Sequence, residues 1–163
     1  YGEHRLSNRY SGRNASVDQS WHNYQVFADW FTKNYIEGYV LDKDILYPGN
    51  VIYGPEYCAF IPQEINKVFC SMNKCRGEYP VGVCLGTHNN KPFYSRVTYK
   101  DLITGKRTTI SNYFNTPEEG FAFYKIEKEK VIKNLAEYYY HRDCISKIIY
   151  DNLMNWEIVP FPD

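Results

Sequence analysis

Apolar positions along this chain follow two rhythms, one of three to four residues and one of two, and the switches between them outline its elements. Trp21, Tyr24, Phe27, Trp30 and Phe31 recur at helical spacing and predict an amphipathic helix to about Asn34, its aromatic stripe turned toward a core. Residues 1 to 20 are polar and aperiodic, with the run Ser11-Gly12-Arg13-Asn14, and read as a loop or arm. From Tyr39 to Leu46 the pattern alternates. The turn signal Pro48-Gly49-Asn50 and the stretch Val51-Ile52-Tyr53 follow, which predicts a hairpin. After Gly54-Pro55-Glu56 comes Cys58-Ala59-Phe60-Ile61, then Pro62 at a helix start with Ile65, Val68 and Phe69 at helical spacing. The local order is strand, turn, strand, helix.

Residues 71 to 77 carry little apolar content and read as a linker. Three strands then arrive in quick succession, Tyr79 to Leu85, Phe93 to Lys100 and Arg107 to Tyr113, predicting an antiparallel meander. Thr116-Pro117-Glu118-Glu119 supplies a hydroxyl N-cap, a proline at the first helical position and a glutamate three residues after the cap. The helix it opens carries Phe121, Tyr124, Val131, Leu135 and Tyr138 on one stripe and is expected to reach about Tyr139. A shorter helix, Asp143 to Met154, precedes an extended tail from Trp156 to Phe161. The class is α+β: an N-terminal ββα unit with its arm and helix over residues 1–76, then a three-stranded sheet packed on one helix, with a C-terminal helix, over 77–163. No internal repeat is visible.

Alternation along the second strand of the meander sends Phe93, Ser95, Val97 and Tyr99 to one face and Tyr94, Arg96, Thr98 and Lys100 to the other. The first set suits the underside of the Phe121 helix. The second is polar, basic and aromatic together. Such a face can enter a DNA major groove, with Arg96 on guanine edges and threonine or tyrosine reaching phosphates, while Lys91, Lys106 and Arg107 at the strand ends flank it as phosphate contacts.

Composition refines this picture. An apolar content of 44% argues for folded material, and 17 tyrosines supply wide contact surfaces whose edges still form hydrogen bonds. Net charge is zero, which by itself weighs against nucleic acid, but the charge is unevenly spread. Residues 78 to 115 hold five basic against two acidic side chains, and residues 116 to 163 hold six against nine. A phosphate-facing surface therefore belongs on the middle segment, while the acidic helices could instead mimic DNA toward a host protein. Five cysteines without regular spacing favour thiols in a reducing cytoplasm; a zinc cluster of Cys58, Cys70, Cys75 and His88 is the less favoured reading. No apolar run approaches the roughly 20 residues a membrane helix needs, and no signal-peptide pattern is present, so a soluble cytoplasmic protein is expected. Because the chain starts at Tyr1 rather than Met, further residues are expected to precede it.

Two resemblances sharpen the functional expectation. The run Gly77-Glu78-Tyr79-Pro80-Val81-Gly82-Val83, then Phe93-Tyr94-Ser95-Arg96-Val97, Gly105-Lys106-Arg107 and Phe114-Asn115-Thr116-Pro117-Glu118-Glu119-Gly120-Phe121, resembles the Apetala-two or ethylene-response-factor type DNA-binding domain, especially the version carried by phage homing endonucleases. The resemblance implies major-groove binding by Tyr94, Arg96 and Thr98. The sequence departs from the family at Cys84, where a basic residue is usual, and at Ser111-Asn112-Tyr113, where the family has a shorter Leu-Gly turn.

Leu41-Asp42-Lys43-Asp44-Ile45-Leu46, followed by residues 49 to 62 and Glu64-Ile65-Asn66, resembles the HNH endonuclease region found beside such domains in phage proteins. That likeness implies a Mg2+ or Mn2+ site for hydrolysing a phosphodiester in double-stranded DNA, with Asp42 as the metal carboxylate. Asp44, alternating onto the same strand face, and Asn66 in the following helix are its expected companions. Lys43 stands where the general-base histidine would follow, and Tyr57 where a metal-binding asparagine is common; His4, His22 and His141 lie away from the motif. The expectation is a phage-type, HNH-like DNA-binding endonuclease, its site either active or degenerate. The alternatives are an inactive DNA-binding regulator or a protein that binds and inhibits a host protein.

Overall fold

A computed structural model describes residues 15–69, 78–87 and 90–161. The chain divides into two compact units, Tyr1–Asn66 and Lys67–Asp163. The expected boundary at residues 76 and 77 falls outside the described residues, as do Cys70, Cys75 and His88 of the zinc reading, the linker at 71–77 and His4 of the arm.

In the first unit Asp18 caps a short 3-10 turn, Gln19–His22, and Asn23 caps helix α1, Tyr24–Asn34, each accepting a backbone N–H two residues ahead. The predicted helix from Trp21 is thus two pieces, because Asn23 is extended and its side chain takes the Gln25 amide. Trp21, Trp30, Phe31 and Phe60 build an aromatic core with ring centroids 4.8 to 5.9 Å apart. Trp30 Nε1 donates to the Pro55 carbonyl at 3.2 Å. Ile45, Cys58, Ile61 and Ile65 are buried.

Strand β1 (Ser16–Val17) pairs in parallel with β3 (Ile52–Tyr53), and β2 (Tyr39–Asp42) pairs antiparallel with β4 (Ala59–Pro62), which leads into α2 (Gln63–Phe69). These small mixed sheets replace the predicted hairpin of residues 39–46 with 51–53. The reason is local: Asp42 Oδ1 accepts the amides of Asp44 and Ile45, both at 2.8 Å, so β2 stops at Asp42 and these two donors never reach a ladder. The expectation that Asp44 shares a strand face with Asp42 fails for the same reason.

The second unit is a three-stranded antiparallel sheet packed on a long helix and followed by a C-terminal helix. Its strands are β5 (Val83–Leu85), β6 (Phe93–Lys100) and β7 (Arg107–Phe114), in the order β5-β6-β7. The first strand is shorter than predicted. Pro80 has no amide, Val81 donates to Pro160 instead of to a neighbouring strand, and Gly82 turns the chain at φ +79°.

Helix α3 spans Pro117–Tyr140 with Thr116 capping the Glu119 amide; Glu119 reaches back to the amide of Asn115, one residue earlier than the reciprocal box predicts. Val83, Ser95 and Val97 of the sheet and Val131, Ile132, Leu135 and Ala136 of the helix are buried. At Gly120 the helix meets the sheet: Ser95 is fully buried, and its hydroxyl donates to the Gly120 carbonyl at 2.9 Å. A Cβ on Gly120 would stand 3.0 Å from that hydroxyl.

Helix α4, Lys147–Met154, begins later than predicted because Asp143 takes a left-handed φ of 54°. It packs on α3 through Tyr140 and Tyr150, stacked at 4.3 Å, with Tyr150 donating to Glu137 at 2.8 Å. The tail is pinned along α3 by Glu129, which accepts the Ile158 amide at 2.9 Å. Among the described residues no helix is long and apolar enough to cross a membrane.

Candidate nucleic-acid interface

Antiparallel pairing of β6 with β7 arranges the outer face of the sheet as a series of rungs. Tyr94 stands opposite Tyr113, Arg96 opposite Ser111, Thr98 opposite Thr109, and Lys100 opposite Arg107. The inward set alternates with it: Ser95 and Val97 are buried while Arg96 and Lys100 are exposed. This is the division that period-two alternation predicts.

The face is graded along its length. Lys100 and Arg107 mark the turn end, with Lys106 exposed beside them. Arg96 and three hydroxyls occupy the middle, Thr98 and Thr109 joined through their oxygens at 3.0 Å. Tyr94 and Tyr113 close the other end, ring centroids 4.8 Å apart, with Cys84 of β5 beside Tyr94. Lys91 is exposed in the segment that leads into β6.

The turn carrying the cationic end is stiff. Asp101 Oδ1 accepts the amides of Ile103 and Thr104 at 3.0 and 2.7 Å and the Thr104 hydroxyl at 2.9 Å, and Gly105 supplies φ +68°. Those Thr104 bonds hold the Asp101 carboxyl below its usual range. Its negative charge is therefore committed to the turn that presents Lys100, Lys106 and Arg107. The arrangement offers a guanidinium fork, ammonium groups, hydroxyls and an aromatic surface on one side of a rigid ribbon, a set suited to a polyanion with hydrogen-bonding edges.

Sequence reasoning singled out the β6 positions of this face together with Arg107 of β7, and missed the rest of the β7 half, Thr109, Ser111 and Tyr113. The same odd-numbered alternation continues from Arg107 and was the available signal; the pairing register joins the two halves.

The N-terminal carboxylates have a different character. Asp42 is partly buried, and burial pushes its carboxyl above the usual value, opposed by the amides of Ile45 and Asp44. Lys43 Nζ donates to Asp44 Oδ1 at 2.5 Å and to the Asn50 carbonyl at 2.6 Å, and lies 5.9 Å from the Tyr53 ring centroid. Asn50 closes the loop by donating to the carbonyls of Lys43 and Ile52 at 2.9 and 2.7 Å. One Asp42 oxygen accepts two amides, and the Lys43 ammonium is paired with one oxygen of Asp44. Register sets Asp42 opposite Ala59 and Tyr39 opposite Pro62, so α2 and its Asn66 depart from the far end of the β2–β4 pair. Among the described residues no group of three His, Cys, Asp or Glu side chains is placed to hold a metal ion.

Compared with known proteins, the chain matches no family model, no curated protein and no solved structure.

Proposed function

We propose that this protein binds double-stranded DNA by laying the outer face of the β5–β6–β7 sheet into the major groove, and that it does so without cutting the strand. The observation that carries the reading is the rung series itself, with Arg96 flanked on one side by Lys100 and Arg107 and on the other by two tyrosines. Three strands about 4.8 Å apart make a ribbon about 10 Å between outer strands, which suits a groove about 12 Å wide. Arg96 is the base reader, through a bidentate contact to guanine; Thr98, Thr109 and Ser111 bond to base edges or phosphates; Lys91, Lys100, Lys106 and Arg107 hold the backbone.

The N-terminal unit enters this proposal as a folded scaffold. Its leading carboxylate closes a turn through two amides and its second is paired with a lysine, which supports a structural role for both. Occupying a site without cleaving it suits a regulator or a blocker of other DNA-acting proteins.

The test is a gel-shift at two salt concentrations beside nicking of supercoiled DNA with magnesium or manganese. Four phosphate contacts give a log–log salt slope of about −3.6, and no nicking is expected. Metal-dependent nicking lost in Asp42→Ala would restore the endonuclease reading. Salt-insensitive binding to a protein in place of DNA would point to a host-protein partner.

A further inference from the structure

One ring on the outer face of the sheet is positioned by the absence of a side chain beneath it. Tyr113 is rooted on β7, yet a Cβ added to Gly86, just beyond β5, would lie 2.6 Å from Tyr113 Cε1 and 3.2 Å from Tyr94 Cβ. Because β6 runs between those strands, the Tyr113 ring crosses the central strand and rests in the space that any larger residue at position 86 would fill. Tyr94 supports it at 4.8 Å, the two ring planes 45° apart. Gly86 is itself fixed, its amide donating to the Pro92 carbonyl at 2.8 Å. Both tyrosines are half-buried, so the pair forms a firm apolar platform at the end of the face opposite Lys100 and Arg107.

Hydrogen-bond donors and acceptors line the major groove, and its one apolar feature is the C5-methyl of thymine. We propose that Tyr113 is a specificity-determining residue whose ring packs on a thymine methyl at one end of the bound site. This rests on the DNA-binding reading above. The Tyr94–Tyr113 rung is two residues from the Arg96–Ser111 rung, about 6.8 Å at about 3.4 Å per residue. Base pairs stack at about the same 3.4 Å. With the strands running along the groove, the thymine lies about two base pairs from the pair that faces Arg96.

The experiment starts from a binding site selected with the full chain out of a random duplex pool. The Arg96 position is the one whose preference Arg96→Ala relaxes. Thymines within a few steps of it are then replaced one at a time by deoxyuridine, which removes only the methyl group. One such replacement, about two steps away, is expected to weaken the unaltered chain about fourfold, the equivalent of one buried methylene. Tyr113→Ala should bind the thymine and uracil duplexes equally, while Tyr113→Phe should keep the difference.

If no uracil replacement weakens the unaltered chain, or if Tyr113→Ala remains as methyl-sensitive as the parent, the assignment of Tyr113 is overturned and the DNA-binding reading stands. The first of these outcomes is read on the unaltered chain and does not depend on the folding of Tyr113→Ala. Absence of salt-sensitive duplex binding by the full chain overturns both.

Discussion

Replacing Asp42 by asparagine and by alanine separates a turn-closing carboxyl from a metal-binding one. Its Oδ1 accepts the Asp44 and Ile45 amides, both at 2.8 Å, and burial holds the carboxyl above its usual pKa of 3.8. Asparagine keeps an acceptor oxygen for both amides and removes the partly buried charge. Alanine removes the acceptor that both amides share, at about 1 kcal/mol for each bond lost, so the expected loss is about 2 kcal/mol.

The pH dependence has a definite sign. A carboxyl whose folded pKa lies above its unfolded value contributes stability that is fully present below the unfolded value and lost as pH rises through the folded one. The asparagine side chain of the variant carries no charge at any pH. Asp42→Asn should therefore equal or exceed the parent at pH 7, and any advantage should vanish toward about pH 3. Urea unfolding followed by tryptophan fluorescence in a Trp156→Phe background reads this out, because Trp21 and Trp30 then report on the first unit alone. An Asp42→Asn loss as large as the alanine loss would refute the reasoning, since it would mean that the charge itself holds the loop.

Three further outcomes follow from the second unit. Gly82→Ala combines a left-handed φ of +79° with a Cβ that would overlap the Tyr124 ring. Strain and overpacking together should cost about 2 to 4 kcal/mol, measurable as a drop in the urea midpoint at unchanged slope. Lys100→Ala with Arg107→Ala should reduce the salt slope of DNA binding by about 2 and weaken all duplexes alike, whereas Arg96→Gln should relax preference at one base pair; a competition gel-shift distinguishes them. Burial alone would raise the Glu129 carboxyl, but the Lys125 ammonium and the Ile158 amide outweigh it and hold it below 4.5. Its contribution is present above that value and lost as pH falls through the lowered one, so acid should detach the tail, seen as a change in Trp156 emission that Glu129→Gln shifts.

Wherever one rhythm persists, the residues alone dictate which way side chains point. The β6 alternation put Arg96 and Lys100 outside and Ser95 and Val97 inside, because successive residues of a pleated strand must face opposite ways. The start of α3 was equally legible, since Thr116, Pro117 and Glu119 act within one turn on amides that they themselves follow or precede. Donors with several available partners are another matter, and their destinations emerge only in the folded chain. β2 took β4 rather than β3 because Asp42 and Asn50 closed the intervening loop with side chains, and Val81 gave its amide to Pro160 from the far end of the chain. The platform of Tyr113 over Gly86 is of the same kind, a contact between the two outer strands across a third. Local geometry assigns a side chain to a face; which of several candidate partners takes a backbone donor is decided by competition, within one loop at Asp42 and across the chain at Val81, and alternation alone does not rank those partners.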